Sequence, residues 1–120
     1  MKNALNWFEI PVANLDRACG FYEKVLAVSL RRETFFGVPT ALFPHQEPGV
    51  GGALVRDDQR PVATGGSLVY IDATAKLDAC LARVSGAGGA VLQPRTAIGQ
   101  AGFIALLRDS EGNTVGLHSR

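Results

Sequence analysis

The chain has almost no excess of charge of either sign. Its 120 residues carry 12 Lys+Arg and 11 Asp+Glu, a formal net charge of +1. A balance this even leaves no electrostatic footprint for nucleic acid or an anionic membrane. Cysteine is scarce. Cys19 and Cys80 lie far apart with no CxxC spacing, so both read as reduced thiols of a cytoplasmic protein. Long apolar runs are missing. The uncharged stretches Phe35–Gln46 and Thr96–Leu107 fall well short of the about 20 residues that a membrane-spanning helix needs. Met1-Lys2-Asn3-Ala4 reaches Glu9 without an apolar leader, so secretion is not expected. Only two histidines are present, His45 and His118.

Hydrophobic residues make up 47% of the chain, enough for a real core, and the length suits one domain, residues 1–120. Within it lies a weak internal repeat. Ala13-Asn14-Leu15-Asp16 resembles Ala75-Lys76-Leu77-Asp78 at an offset of 62, which also sets Tyr22 on Val84 and Phe8 on Tyr70. Each half reads as strand, helix and three strands. Asn6–Val12 alternates as a strand, with Phe8, Ile10 and Val12 on one side and Trp7 and Glu9 on the other. Asn14 is placed to cap a helix, and Leu15, Ala18, Cys19, Tyr22, Val25 and Leu26 form its apolar stripe. Val28–Thr34, Thr40–Pro44 and Gly52–Arg56 are the following strands.

In the second half, Ser67–Ile71 is the first strand, with Leu68 and Tyr70 expected to face the helix. Leu77, Cys80, Leu81 and Val84 form the helical stripe, which stops at Gly86 and Gly88. Val91–Gln93, Phe103–Arg108 and Thr114–His118 are strands, the last two joined by the turn Asp109–Asn113. The expected fold is α+β: two tandem β-α-β-β-β modules, about 4–56 and 67–119, joined by a linker at 57–66. Together they form a cupped, incompletely closed mixed sheet. One face of each sheet stays uncovered, and a trough of this kind suits a small molecule.

The runs Trp7-Phe8-Glu9-Ile10-Pro11-Val12-Ala13-Asn14-Leu15-Asp16-Arg17-Ala18, Phe21-Tyr22-Glu23-Lys24-Val25-Leu26 and Arg108-Asp109-Ser110-Glu111-Gly112-Asn113-Thr114-Val115-Gly116-Leu117-His118-Ser119 carry a resemblance. They resemble the glyoxalase / bleomycin-resistance / extradiol dioxygenase superfamily, the vicinal oxygen chelate proteins, in its small stand-alone, lactoylglutathione-lyase-like form. The resemblance implies a cupped sheet, a homodimer and a small-molecule ligand. In the family's metal enzymes it also implies a divalent metal held by His or Glu on the first and last strands of each module. Carried over singly, those ligand positions fall on Trp7, near Gly52, on or near Val69 (Ser67 if the register slips) and on Gly116. None of Trp7, Gly52, Val69 or Gly116 offers a side-chain ligand, whereas a usable site needs about three. No cofactor is therefore expected, with a divalent metal as the alternative.

Glu9 and His118 are the candidate catalytic groups. Glu9 shares a strand face with Trp7, as a base in a partly apolar trough or as an Arg-paired carboxylate. His118 shares a face with Gly116, as an acid/base group or as a polar residue at the rim. The candidate ligand-binding set is Trp7, Glu9, Gly52, Val69, Gly116 and His118. His45 is expected in an exposed, Pro-flanked loop, and Gly49-Val50-Gly51-Gly52 as a bend rather than a phosphate loop. The function expected is small-molecule binding in a cup without the family's metal site. The alternative is a glyoxalase-related lyase or isomerase, or a dioxygenase, using a divalent metal. Whether the chain is an enzyme stays open at this point.

Overall fold

The computed structural model describes residues 3–5, 7–63 and 65–120. Asn6 at the start of the expected first strand, Thr64 in the expected linker, and Met1 and Lys2 lie outside the described residues.

The first module runs β1 (Trp7–Pro11), α1 (Leu15–Leu26), β2 (Arg31–Phe35), β3 (Val38–Leu42) and β4 (Gly51–Val55). The second runs β5 (Tyr70–Asp72), α2 (Leu77–Val84), β6 (Ala90–Ala97), β7 (Phe103–Arg108) and β8 (Thr114–Ser119). The strands form two four-stranded mixed sheets, ordered β1-β4-β3-β2 and β5-β8-β7-β6. Both begin with a parallel pair, β1 with β4 and β5 with β8, and continue antiparallel. The α+β fold class and the modular order are as the sequence suggests. Helix starts repeat at an offset of 62, Leu15 to Leu77.

Local chemistry accounts for the helices. The Asn14 side chain accepts a hydrogen bond from the Arg17 backbone N–H at 3.0 Å, and Asp16 sits in the first turn where the helix dipole favours it. α1 ends with Ala27 in the left-handed region. It buries Ala18, Cys19, Phe21, Tyr22, Val25 and Leu26, the larger of which each stabilise the fold by about 1.5–3 kcal/mol. α2 buries Leu77, Cys80 and Val84.

The two helices pack together between the sheets, so one core runs through both modules from Ile10 and Leu54 to Leu107 and Leu117. Charges from the second module bracket α1. At its start, Glu111 from the β7–β8 turn accepts hydrogen bonds from the N–H groups of Ala13 (3.0 Å) and Asn14 (2.8 Å) and from Arg17. At its end, Arg83 donates to the Val25 carbonyl and Lys76 to the Leu26 carbonyl. A carboxylate at the positive end and cations at the negative end both suit the helix dipole. Asp109 and Tyr22 lock the turn to α1 through a buried 2.6 Å hydrogen bond. Burial, and then Asp109, push the Tyr22 hydroxyl well above its usual range.

One expectation about the second module is corrected. Tyr70 is 45% exposed and Leu68 is also exposed, whereas Ile71 packs on the core. Tyr70 therefore lies on the open face and Ile71 on the helix face. The reason is a shorter connection. Trp7 stands opposite Gly51, eight residues before α1, and Tyr70 stands opposite Gly116, only seven before α2. The offset of 62 that aligns the helices is thus one residue short for the strands. Because side chains alternate, one residue reverses the face.

Candidate functional site on the open sheet faces

The open face of the first sheet is built by register. Trp7 neighbours Gly51, and two residues on, Glu9, Ala53, Leu42 and Arg31 form one row across β1, β4, β3 and β2. Phe8 and Ile10 point the other way, towards the core. Trp7 and Phe35 remain 42% and 46% exposed, far from the near-complete burial of the core side chains. Together with Arg31, Leu42 and His45 they line a cavity of about 660 Å³, within the range of ligand pockets.

His45 enters this face because Gly51 has no side chain. A Cβ at Gly51 would lie 2.5 Å from His45 Nδ1 and clash with the imidazole. The ring stands edge-on to Trp7, with centroids 6.4 Å apart at 78°. His45 Nε2 lies 3.5 Å from Glu47, and Arg31 pairs with Glu33 on the same strand face. Glu9 is ion-paired: its Oε1 accepts from Arg60 Nη1 at 2.6 Å and its Oε2 from Trp7 Nε1 at 3.3 Å. Glu9 is thus Arg-paired, and the partner comes from the connection between the modules.

The second sheet presents Tyr70 beside Gly116 and Asp72 beside His118. The Tyr70 ring lies over Gly116, where a Cβ would come within 2.3 Å of it. His118 Nε2 is 2.7 Å from the Ala101 carbonyl. With that nitrogen donating, Nδ1 is left as the acceptor. The Asp72 carboxylate accepts from the Thr74 hydroxyl (2.6 Å) and backbone N–H (3.0 Å). These bonds, then the nearby His118 and Lys76, hold it below the usual carboxylate range despite partial burial.

Carried over by pairing register instead of spacing, the positions that the resemblance implies fall on the partners Trp7 and Gly51 and the partners Tyr70 and Gly116. Two residues named by spacing lie elsewhere. Gly52 faces the core, where Phe8 covers it with its ring 2.2–2.4 Å from a would-be Cβ. Val69 precedes β5 and lies out of phase with Tyr70, which takes its place. Trp7 and Gly116 lie on the open faces. The four positions do not make a divalent-metal site: the indole and the two glycines offer no side-chain donor, the Tyr70 phenol alone falls short of the about three ligands needed, and rings fill the space above both glycines. Among the described residues, no group of three or more His, Cys, Asp and Glu is disposed to hold a metal.

The sequence profile of the glyoxalase/bleomycin resistance protein/dioxygenase superfamily matches residues 4–117. The chain belongs to this superfamily. Solved structures share the fold along nearly the whole chain. A glyoxalase/bleomycin resistance protein from Albidiferax ferrireducens T118 superposes with a TM-score of 0.73 at 18% identity, covering 98% of this chain and 99% of that one. Another, from Streptomyces sp. CB03234, gives a TM-score of 0.70 at 25% identity, covering 95% and 99%. TnmS3, an antibiotic binding protein from the same Streptomyces, gives 0.69 at 22% identity, covering 98% and 95%. No curated protein matches the sequence significantly.

In this superfamily member the candidate residues fall into two groups. Trp7 and Glu9 share the first open face, with His45, Arg31 and Phe35 beside them. Gly116 and His118 share the second, with Tyr70 and Asp72. His45 and Asp72 were not singled out as site residues from sequence. The signal for His45 was Gly51, whose lack of bulk is only meaningful once the loop folds back over it. Asp72 carries no local signal, because its face depends on the one-residue difference between modules.

Proposed function

We propose that the protein is a small-molecule-binding superfamily member that holds a partly aromatic ligand on its open sheet faces without the superfamily's metal. The observation that carries this reading is the replacement of ligand-bearing positions by Trp7, Gly51, Tyr70 and Gly116, with aromatic rings seated over both glycines. Such faces offer stacking on Trp7 and Tyr70, with hydrogen bonds from Arg31, His45 and His118 to fix orientation. The antibiotic-binding TnmS3 has the same fold, which favours binding over turnover. Acid–base chemistry is the second reading, favoured by the Ala101 contact that presents His118 Nδ1 as an acceptor.

A homodimer in the cytoplasm belongs to the same proposal. β1 and β5 are the outer strands of their sheets, and each carries an exposed aromatic residue. Free strand edges are templates for pairing. A second copy aligning its β5 along β1 would join the two open faces into one cup. Two buried free thiols, Cys19 and Cys80, suit a reducing compartment.

Elemental analysis of the purified protein, with a metabolite screen by thermal shift, tests the proposal. Sub-stoichiometric metal is expected, together with hits whose affinity falls at least tenfold in Trp7→Ala at unchanged far-UV circular dichroism. A stoichiometric, tightly bound divalent metal would overturn it. Binding indifferent to Trp7 would place the ligand elsewhere.

A further inference from the structure

A second cavity, of about 510 Å³, lies between the modules behind the first sheet. Its wall is core-type surface that the gap leaves open. Phe8, Val28 and Ile71 pack on the core yet stay only half-buried, and Leu26 and Phe43 add to the apolar lining, with Leu5, Val50 and Tyr70 at its edges. Phe8 and Gly52 face this cleft from the side of the sheet opposite Trp7 and Gly51. Lys76 reaches into it from the start of α2. Its Nζ donates to the Leu26 carbonyl at 2.9 Å, which leaves two N–H bonds unused. Among the described residues, no carboxylate lies within 4.0 Å of that ammonium. Asp72, the acidic group of the lining, spends one oxygen on Thr74.

We infer that this cleft is a second ligand site, which takes an amphipathic monocarboxylate with its chain against Phe8, Phe43, Val28 and Ile71 and its carboxylate on Lys76. A half-buried ammonium beside an apolar wall, with Asp72 of the same lining acting on it only from beyond 4.0 Å, suits one negative charge on an apolar body. A lone Lys is a point charge, so it would hold the carboxylate through one ammonium contact and leave the apolar wall to position the rest of the ligand. Every wall comes from one chain, and the cleft borders the open faces at His45, Gly51 and Tyr70.

Decanoate, decanol and decyltrimethylammonium, titrated calorimetrically below their micelle concentrations, test this. Decanoate is expected to bind one per chain, at least tenfold more tightly than the other two. Lys76→Met should abolish that preference. Asp72→Asn, which removes the opposing charge, should tighten decanoate at least twofold. Val28→Trp should obstruct the apolar wall and weaken decanoate at least tenfold with the fold retained by circular dichroism. Equal affinity for decanol, a preference that survives Lys76→Met, or binding lost in Trp7→Ala but kept in Val28→Trp would each overturn the assignment.

Discussion

Glu111 offers the sharpest test of how the two modules are held together. Its side chain is 0% exposed and accepts five hydrogen bonds: from the backbone N–H groups of Ala13 and Asn14, from Arg17 Nε (2.6 Å) and Nη2 (3.0 Å), and from the Ser110 hydroxyl (3.1 Å). Hydrogen bonds to a charged group contribute about 1.5–3 kcal/mol each when one partner is removed, but they do not add. Arg17 is half exposed and would rehydrate, so its share is small. The N–H groups at the start of α1 would also reach water, and the lost dipole interaction adds only about 0.3–1 kcal/mol. Glu111→Ala should therefore cost about 2–3 kcal/mol, and Glu111→Gln, which keeps one carbonyl acceptor, about 1–2 kcal/mol. At this chain length that is a drop in Tm of roughly 8–12 °C for the alanine variant.

The pH dependence separates charge from shape. Burial pushes the Glu111 carboxyl up, but Arg17, the Asn14 and Ala13 N–H groups and the Ser110 hydroxyl together outweigh it and hold the group below its usual range. Its unfolded value is about 4.3. A depressed folded value means that the contribution is complete above about pH 4.3 and is lost as the pH falls through the folded value. Urea unfolding followed by far-UV circular dichroism at pH 7 and at pH 3 measures both effects. The gap between wild type and Glu111→Gln should be wide at pH 7 and should narrow at pH 3. A gap below about 0.5 kcal/mol at pH 7, or one that does not narrow in acid, would refute the bracketing of α1 by charge.

Other substitutions probe the glycines and the turns. Gly52→Ala should cost about 1–3 kcal/mol in denaturant titration, because the Phe8 ring it would strike is packed against the core. Gly51→Ala should cost less than Gly52→Ala, since the His45 ring sits on a loop and can swing away, and it should weaken any ligand that depends on His45. Phe36 sits at the β2–β3 tip with a φ of 51° and full exposure, beside Gly37 at 79°. Phe36→Asn, better suited to that left-handed turn, should raise stability by about 0.5–1 kcal/mol, read as a higher denaturation midpoint.

The module plan was legible because it rests on local patterns. Asn14 before an apolar stripe makes a capped helix wherever it is placed, and Asp109-Ser110-Glu111-Gly112-Asn113 makes a turn with Gly112 at a φ of 94°. Asp109 accepts from the Glu111 and Asn113 N–H groups as such a turn requires. The first-strand face was also legible, because Phe8, Ile10 and Val12 alternate against Trp7 and Glu9. The second was not. Tyr70 and Ile71 are both large and apolar, so alternation alone does not say which one faces the helix.

Sequence by itself determined the two β-α-β-β-β units and the Asn14-capped start of α1. Only the tertiary structure decided which side chains share a face. It brought Arg60 to Glu9, His45 over Gly51, Ala101 to His118 and Lys76 to the end of α1. The physical reason is range. Helix and turn propensities act over a few residues and are written where they act. A sheet face is set by pairing between distant strands, where a connection one residue shorter turns every side chain to the other side.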